Sequence, residues 1–355
     1  MTDFLSQPKK LQIELSSICN ALCLGCHRTD PENYNRSKIE IPKNKIVSVE
    51  TFDKLLSSEA MSSIDELEFC GIIDEPTLHP NFLKILQVAR NKKDYISCIH
   101  TNGGTKTVDY WIKLSNISQT YNDLLILFNI DGLEDTNHIY RQNVKFDKVI
   151  ENAKAFIDAG GRAQWQFLIF PWNKHQIDDA AKLSSKLGFE SFVTRQDGSH
   201  ITDEGLQSVL EKKKTNAREG KGIKPGIDPT IDTRYTKAQH LKIKCNSISK
   251  NMFFVSHDSR LWPCCFIPNG FYVNPKMNKY MNERIYKNYG KDFNDLTKYS
   301  ADEIVAHPFY KNNLVESFNN MIGKGCTDKI SRCVDTCTVK QLEKIPIGKI
   351  EEYVA

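Results

Sequence analysis

The chain has 355 residues, 40% hydrophobic and 26% charged, with a net charge of +4 and eleven cysteines. That length and composition fit a globular protein with one large and one smaller core, and the mild charge selects no partner class. Residues 1–10 contain no apolar signal core and no run approaches about 18 apolar residues, so export and membrane spanning are not expected, a cytoplasmic location is, and the cysteines read as reduced thiols for metal or redox work.

Leu11-Gln12-Ile13-Glu14-Leu15 alternates apolar and polar residues and predicts a strand. Cys19, Cys23 and Cys26 follow on the loop leaving it, in the pattern C-x₃-C-x₂-C. A polar excursion over 29–45 precedes a helix marked by Val49, Phe52, Leu55 and Leu56. A second strand spans Leu67 to Gly71 and runs into Ile72-Ile73-Asp74-Glu75-Pro76. Phe82, Leu83, Leu86 and Ala89 predict the next helix face, and Tyr95 to His100 a third strand ending in Thr101-Asn102-Gly103-Gly104. Trp111 to Ile117 is helical. Leu124 to Ile130 is a nearly continuous apolar run, as in a strand covered on both faces, and ends at Asp131-Gly132. Phe146 to Ala159 keeps one apolar face until Gly160-Gly161 stops it. Ala163 to Phe170, Ile177 to Leu187 and Phe189 to Thr194 complete the alternation as strand, helix and strand.

Six strands alternating with helices predict an α/β fold with a parallel sheet and its ligand groups at the strand C-termini. An open, partial (β/α)6 TIM-like barrel fits residues 1–195; a doubly wound sheet gives the same alternation. Residues 196–240, with Lys212, Lys213, Lys214, Arg218, Lys221 and Lys224 among glycines and prolines, read as a basic linker. Residues 241–355 form a small α+β cysteine-rich domain, opened by a hairpin from Phe253 to Trp262 that delivers Cys264 and Cys265.

Three thiolates from one short loop can hold three irons of a [4Fe–4S] cube and leave the fourth open, whereas disulfide pairing cannot use all three. Cys19, Cys23 and Cys26 in this pattern after a first strand resemble the signature of the radical S-adenosylmethionine (SAM) enzymes. The resemblance implies SAM chelated at the open iron, and its reductive cleavage to a 5′-deoxyadenosyl radical. The usual aromatic residue before the third cysteine is Gly25 here, with His27 and Arg28 as substitutes for its adenine contact. A zinc knuckle using His27 as fourth ligand is the competing reading of the loop.

The same resemblance assigns the SAM contacts. Gly71, Asp74, Glu75 and Pro76 match a loose form of the loop that receives the SAM amino group. Thr101 and Asn102 end strand three, and Asn129 and Asp131 end strand four. Arg141 resembles the arginine that pairs with the SAM carboxylate, a task suited to its planar fork. Gln166 and Phe167 are candidates for adenine contact, whereas Trp165 and Trp172 read as packing.

Cys245, Cys264, Cys265, Cys326, Cys333 and Cys337 resemble the SPASM and twitch extensions of this family, which hold auxiliary clusters. Without the C-x₂-C pair of the full pattern, one auxiliary [4Fe–4S] cluster is expected, on Cys245, Cys264, Cys333 and Cys337. Ser259 stands where that hairpin usually has glycine. Cys265 is then a candidate hydrogen donor to a substrate radical, with small buried packing as its alternative. A four-cysteine zinc would fit the same spacing.

The resemblance implies an enzyme, an oxidoreductase or peptide modifier, that abstracts a hydrogen atom from a peptide or protein substrate with electrons from a flavodoxin or ferredoxin. Small-molecule substrates (sugars or alcohols) and nucleotide or nucleic-acid modification are the enzymatic alternatives, the last resting on the basic linker alone, so neither a nucleic acid nor a membrane is an expected partner. A zinc-binding interaction module is the non-enzymatic one, and it leaves the loops at Gly71–Pro76 and Thr101–Gly104 without a purpose.

Overall fold

The computed structural model describes residues 7–24, 26, 28, 44–92, 98–121, 124–196, 241–243, 245–268, 281–314, 338–343 and 350–354. The basic linker from 197 onward, His27, Gly25, Cys326, Cys333 and Cys337 lie outside them. Contacts divide the chain into two compact units, one drawn from Ile13–Val49 and Asp65–Pro225, the other from Met1–Gln12, Glu50–Ile64 and Gly226–Ala355.

The first unit is the α/β one. Its strands are the end of β1 (Lys10–Ile13), then β2 (Glu66–Phe69), β3 (Cys98–Thr101), β4 (Leu125–Asn129), β5 (Ala163–Ile169) and β6 (Ser191–Gln196). They lie in sequence order, and β2 to β6 pair parallel throughout. Between them run α1 (Phe82–Lys92), α2 (Val108–Ser118), α3 (Phe146–Asp158) and α4 (Ile177–Leu187). The first of these buries Phe82, Ile85, Leu86 and Ala89, so Ile85 takes the core position expected of Leu83. Gly188 ends α4 at φ +85, a left-handed value that favours a residue without a Cβ.

One face of this sheet is apolar and covered by helices. Phe69 meets Phe82 of α1 at 5.6 Å between ring centroids, and Phe128 meets Trp111 of α2 at 5.2 Å and Phe156 of α3 at 6.2 Å. Side chains alternate along each strand, so the register places Glu66, Glu68, Cys98, His100, Asn129, Gln164, Gln166 and Ser191 together on the opposite face. A doubly wound sheet reverses its strand order and buries apolar residues on both faces. This sheet keeps its strands in sequence order and its second face mainly polar, consistent with a partial barrel. Leu124–Ile130 thus read as apolar on both faces because Leu125 and Leu127 also point inward, where Leu168 and Val193 are further apolar residues among the polar ones.

The second unit is built on an antiparallel hairpin, β8 (Met252–Ser256) and β9 (Arg260–Trp262), beside residues 10–12. Another strand, β7 (Leu241–Ile243), joins β10 (Thr338–Glu343) and β11 (Ile350–Val354) in a three-stranded antiparallel sheet. Phe253, Val255, Leu261, Trp262, Ile285, Phe309 and Tyr310 are buried at its core. Ser259 turns the hairpin at φ +61, the conformation that explains why glycine suits this position. Among the described residues no helix is long and apolar enough to cross a membrane.

Candidate active site at the strand ends

The first two strand-end loops are locked to each other by buried carboxylates. Glu14, 1% exposed, accepts the backbone N–H groups of Ile72 and Ile73 on one oxygen, both at 2.7 Å. In return Asp74 accepts from the N–H groups of Leu15 (2.9 Å) and Ser16 (3.3 Å). The Glu75 N–H donates to the Ile18 carbonyl at 2.8 Å. Arg28 adds a cationic tie, donating from Nη1 to the carbonyls of Ser17 (2.7 Å) and Ile73 (3.2 Å). Its guanidinium therefore braces the loops together. Burial pushes the Asp74 carboxyl up, and the neighbouring Glu14 pushes it further. Gly71 is required here by crowding, since a Cβ would fall 1.7 Å from Asp74 Oδ1.

Glu75 is the hub of the next layer. It is 2% exposed and accepts from Thr77 Oγ1 (2.7 Å), Thr101 Oγ1 (2.6 Å), the Thr77 N–H (3.3 Å) and the Asn102 N–H (2.7 Å). Burial raises its carboxyl, while these bonds act in the other direction. The loop carrying Gly71 and Pro76 is thus fastened to the end of β3. Asn102 continues the chain of contacts, reaching Asn20 Oδ1 at 2.8 Å and Cys19 Sγ at 3.9 Å. Asn129 donates to the Thr101 carbonyl at 3.2 Å.

The cysteine loop sits under these contacts. Cys23 is buried, Cys19 and Cys26 half-buried, and the Cys26 N–H closes a turn on the Cys23 carbonyl at 3.0 Å. Cys26 Sγ lies 3.4 Å from the Arg28 N–H, and Cys23 Sγ lies 3.6 Å from Arg141 Nη1. Burial raises all three thiols, Cys26 to about 11. Such sulfurs carry the thiolate form only with a cationic partner, and each already faces an N–H donor of the kind that tunes a metal-bound sulfur. Among the described residues, the His/Cys/Asp/Glu trio with donor atoms within 4.8 Å of one another is Glu68, Cys98 and His100, so these three cysteines are not gathered for a single ion. Their donor set fits a multi-iron cluster, which spreads its ligands over the corners of a cube.

Solved structures share this arrangement of strands and helices. Native anSMEcpe with bound AdoMet is similar at 16% identity over 93% of this chain and 89% of that one, with a TM-score of 0.52. The same protein with AdoMet and Cp18Cys peptide gives 15% identity over 93% and 88%, with a TM-score of 0.51. SuiB from Streptococcus suis bound to S-adenosylmethionine gives 13% over 81% and 68%, with a TM-score of 0.49. The fold is that of radical SAM enzymes. No protein-family model and no curated protein sequence matches the chain.

On this fold, the buried Asp131 and the half-buried Arg141 form an ion pair past β4. Arg141 Nε donates to Asp131 Oδ2 at 2.6 Å, and the other Asp131 oxygen accepts the Leu168 N–H at 2.7 Å. Burial disfavours the guanidinium charge, but Asp131 and Cys23 beside it more than offset this and hold it cationic. Gln166 lies on the polar face, 6% exposed, and its Nε2 meets no acceptor among the described residues. Phe167 does not join it. Successive strand residues face opposite ways, so Phe167 turns to the helix side and packs against Phe192 at 5.8 Å.

Sequence reasoning missed Glu14, Asn20 and the bracing role of Arg28. Glu14 carried one usable signal, a charge alternating with core positions at the end of a strand. In the second unit Cys264 is buried, and Cys245 and Cys265 are half-buried.

Proposed function

We propose that the chain is a radical SAM enzyme that modifies a peptide or protein. The observation that carries the reading is the set of three buried thiols, Cys19, Cys23 and Cys26, each beside an N–H donor at the strand ends of a radical SAM fold. When bound, a [4Fe–4S] cluster on these sulfurs supplies the electron that cleaves SAM for hydrogen-atom abstraction. Asp131 fixes Arg141 so that Nη1 faces Cys23, and Nη2 is left to bind the SAM carboxylate. Glu75 and Asp74 hold the backbone of the amino-group loop in place rather than meeting the ammonium themselves. Gln166 Nε2 is the donor aimed from the polar face at the adenine or substrate.

Peptide modification is supported by anSMEcpe, which is seen with AdoMet and either Cp18Cys or Kp18Cys peptide. The polar inner face suits a backbone-rich substrate, whose amides need partners when taken from water. An auxiliary cluster on Cys245, Cys264, Cys333 and Cys337 would take the electron left on the substrate, giving an oxidation; a hydrogen atom returned by Cys265, which adjoins a ligand in sequence, would instead make the reaction redox-neutral. A flavodoxin- or ferredoxin-like protein would supply the reducing electron. Iron counting tests this division. Replacing Cys19, Cys23 and Cys26 together by alanine is expected to leave a folded protein with about half the iron of the reconstituted wild type, as four-iron sites at the two ends of the chain require. Complete loss of iron would remove the auxiliary cluster, and unchanged iron would remove the radical SAM site.

A further inference from the structure

Cys98 and His100 stand two residues apart on β3, so their side chains share one face. The parallel register sets Glu68 of β2 directly beside Cys98. All three are half-buried on the polar inner face, with the Glu68 and His100 side chains 14% and 18% exposed. His100 Nε2 lies 3.3 Å from Glu68 Oε1, and the carboxylate, thiol and imidazole donors all fall within 4.8 Å of one another. The feature is thus a mixed O, S, N donor set on two rigid, adjacent strands.

We propose that Glu68, Cys98 and His100 form a mononuclear divalent-cation site of zinc type, separate from the Cys19, Cys23 and Cys26 site. Zinc takes carboxylate, thiolate and imidazole ligands, and three protein donors with a fourth position open are its arrangement in sites that bind a further ligand. Bonds of about 2.0–2.3 Å in tetrahedral geometry put donors roughly 3.3–3.8 Å apart. The Glu68–His100 separation already matches, and the sulfur closes the remainder by side-chain rotation. Charge favours the same occupant: a carboxylate, a thiolate and a neutral imidazole around a dication sum to zero, which suits a half-buried strand face. The open position takes a water, or an oxygen or nitrogen of a molecule lying on the polar face. This site stands on its own donors and does not depend on the radical SAM reading.

The test uses the full chain with its iron sites reconstituted, exposed to zinc and then desalted. Elemental analysis is expected to find one zinc per chain more in the wild type than in Cys98→Ser or His100→Ala, with iron equal in all three. Alkylation of Cys98 by iodoacetamide, followed by peptide mass spectrometry, reads the same site without a variant. Zinc should slow it at least tenfold. Equal zinc in all three proteins, or Cys98 alkylation unaffected by zinc in the wild type, overturns the assignment.

Discussion

Glu75→Ala is expected to destabilise the α/β unit by roughly 3–5 kcal/mol, because several buried donors lose their acceptor at once. Four hydrogen bonds converge on this one carboxylate, from Thr77, Thr101 and Asn102. Two come from backbone N–H groups that have no means of turning away. Glu75→Gln separates shape from charge. The amide keeps one acceptor oxygen, but its NH₂ must face either the Asn102 N–H or the cluster of donors around Oε1. A cost of about 1–3 kcal/mol follows for a donor left facing a donor. Denaturant titration followed by tryptophan fluorescence checks both variants, since Trp111, Trp165 and Trp172 all lie in this unit. Equal midpoints for wild type and Glu75→Ala would show that the carboxylate does not hold the loops.

Arg141→Lys is expected to weaken SAM binding about 10- to 100-fold, equivalent to roughly 1.4–2.8 kcal/mol. An ammonium is a single point of charge and cannot bridge Asp131, Cys23 and a carboxylate together. It will stay with Asp131, the fully buried anion, because leaving that carboxylate unpaired is the larger cost. Iron content should hold, since none of the sulfurs is removed. Calorimetry on the reconstituted protein gives the affinity directly, and unchanged affinity would place the SAM carboxylate on another group.

Much of the fold was legible because its signals are local. Val149, Ala153 and Phe156 recur on one face of α3, and Gly160, at φ +94, follows it. Strand order and the polar inner face were not legible, since the alternation in β2 reads the same whether Glu66 and Glu68 meet solvent, helices or a barrel interior. The site shows the same limit. Cys19, Cys23 and Cys26 announce themselves by spacing within eight residues, and Asp74 and Glu75 by position after a strand. What those two carboxylates do depends on partners far away in sequence: Asp74 bonds 59 residues back to Leu15, and Glu75 reaches 27 residues forward to Asn102. Glu14 is fixed by partners 58 and 59 residues on. Register alone joins Glu68 to Cys98. Phe167 shows the cost of reading a pair of adjacent strand residues as one site, because they point to opposite faces.

The measurement that bears most directly on the central claim is 5′-deoxyadenosine formed from SAM by the anaerobically reconstituted, reduced protein. The wild type is expected to release it, and the variant lacking Cys19, Cys23 and Cys26 to release none. A wild type that holds its iron and binds SAM yet yields no 5′-deoxyadenosine, or a triple variant that still yields it, would contradict the account.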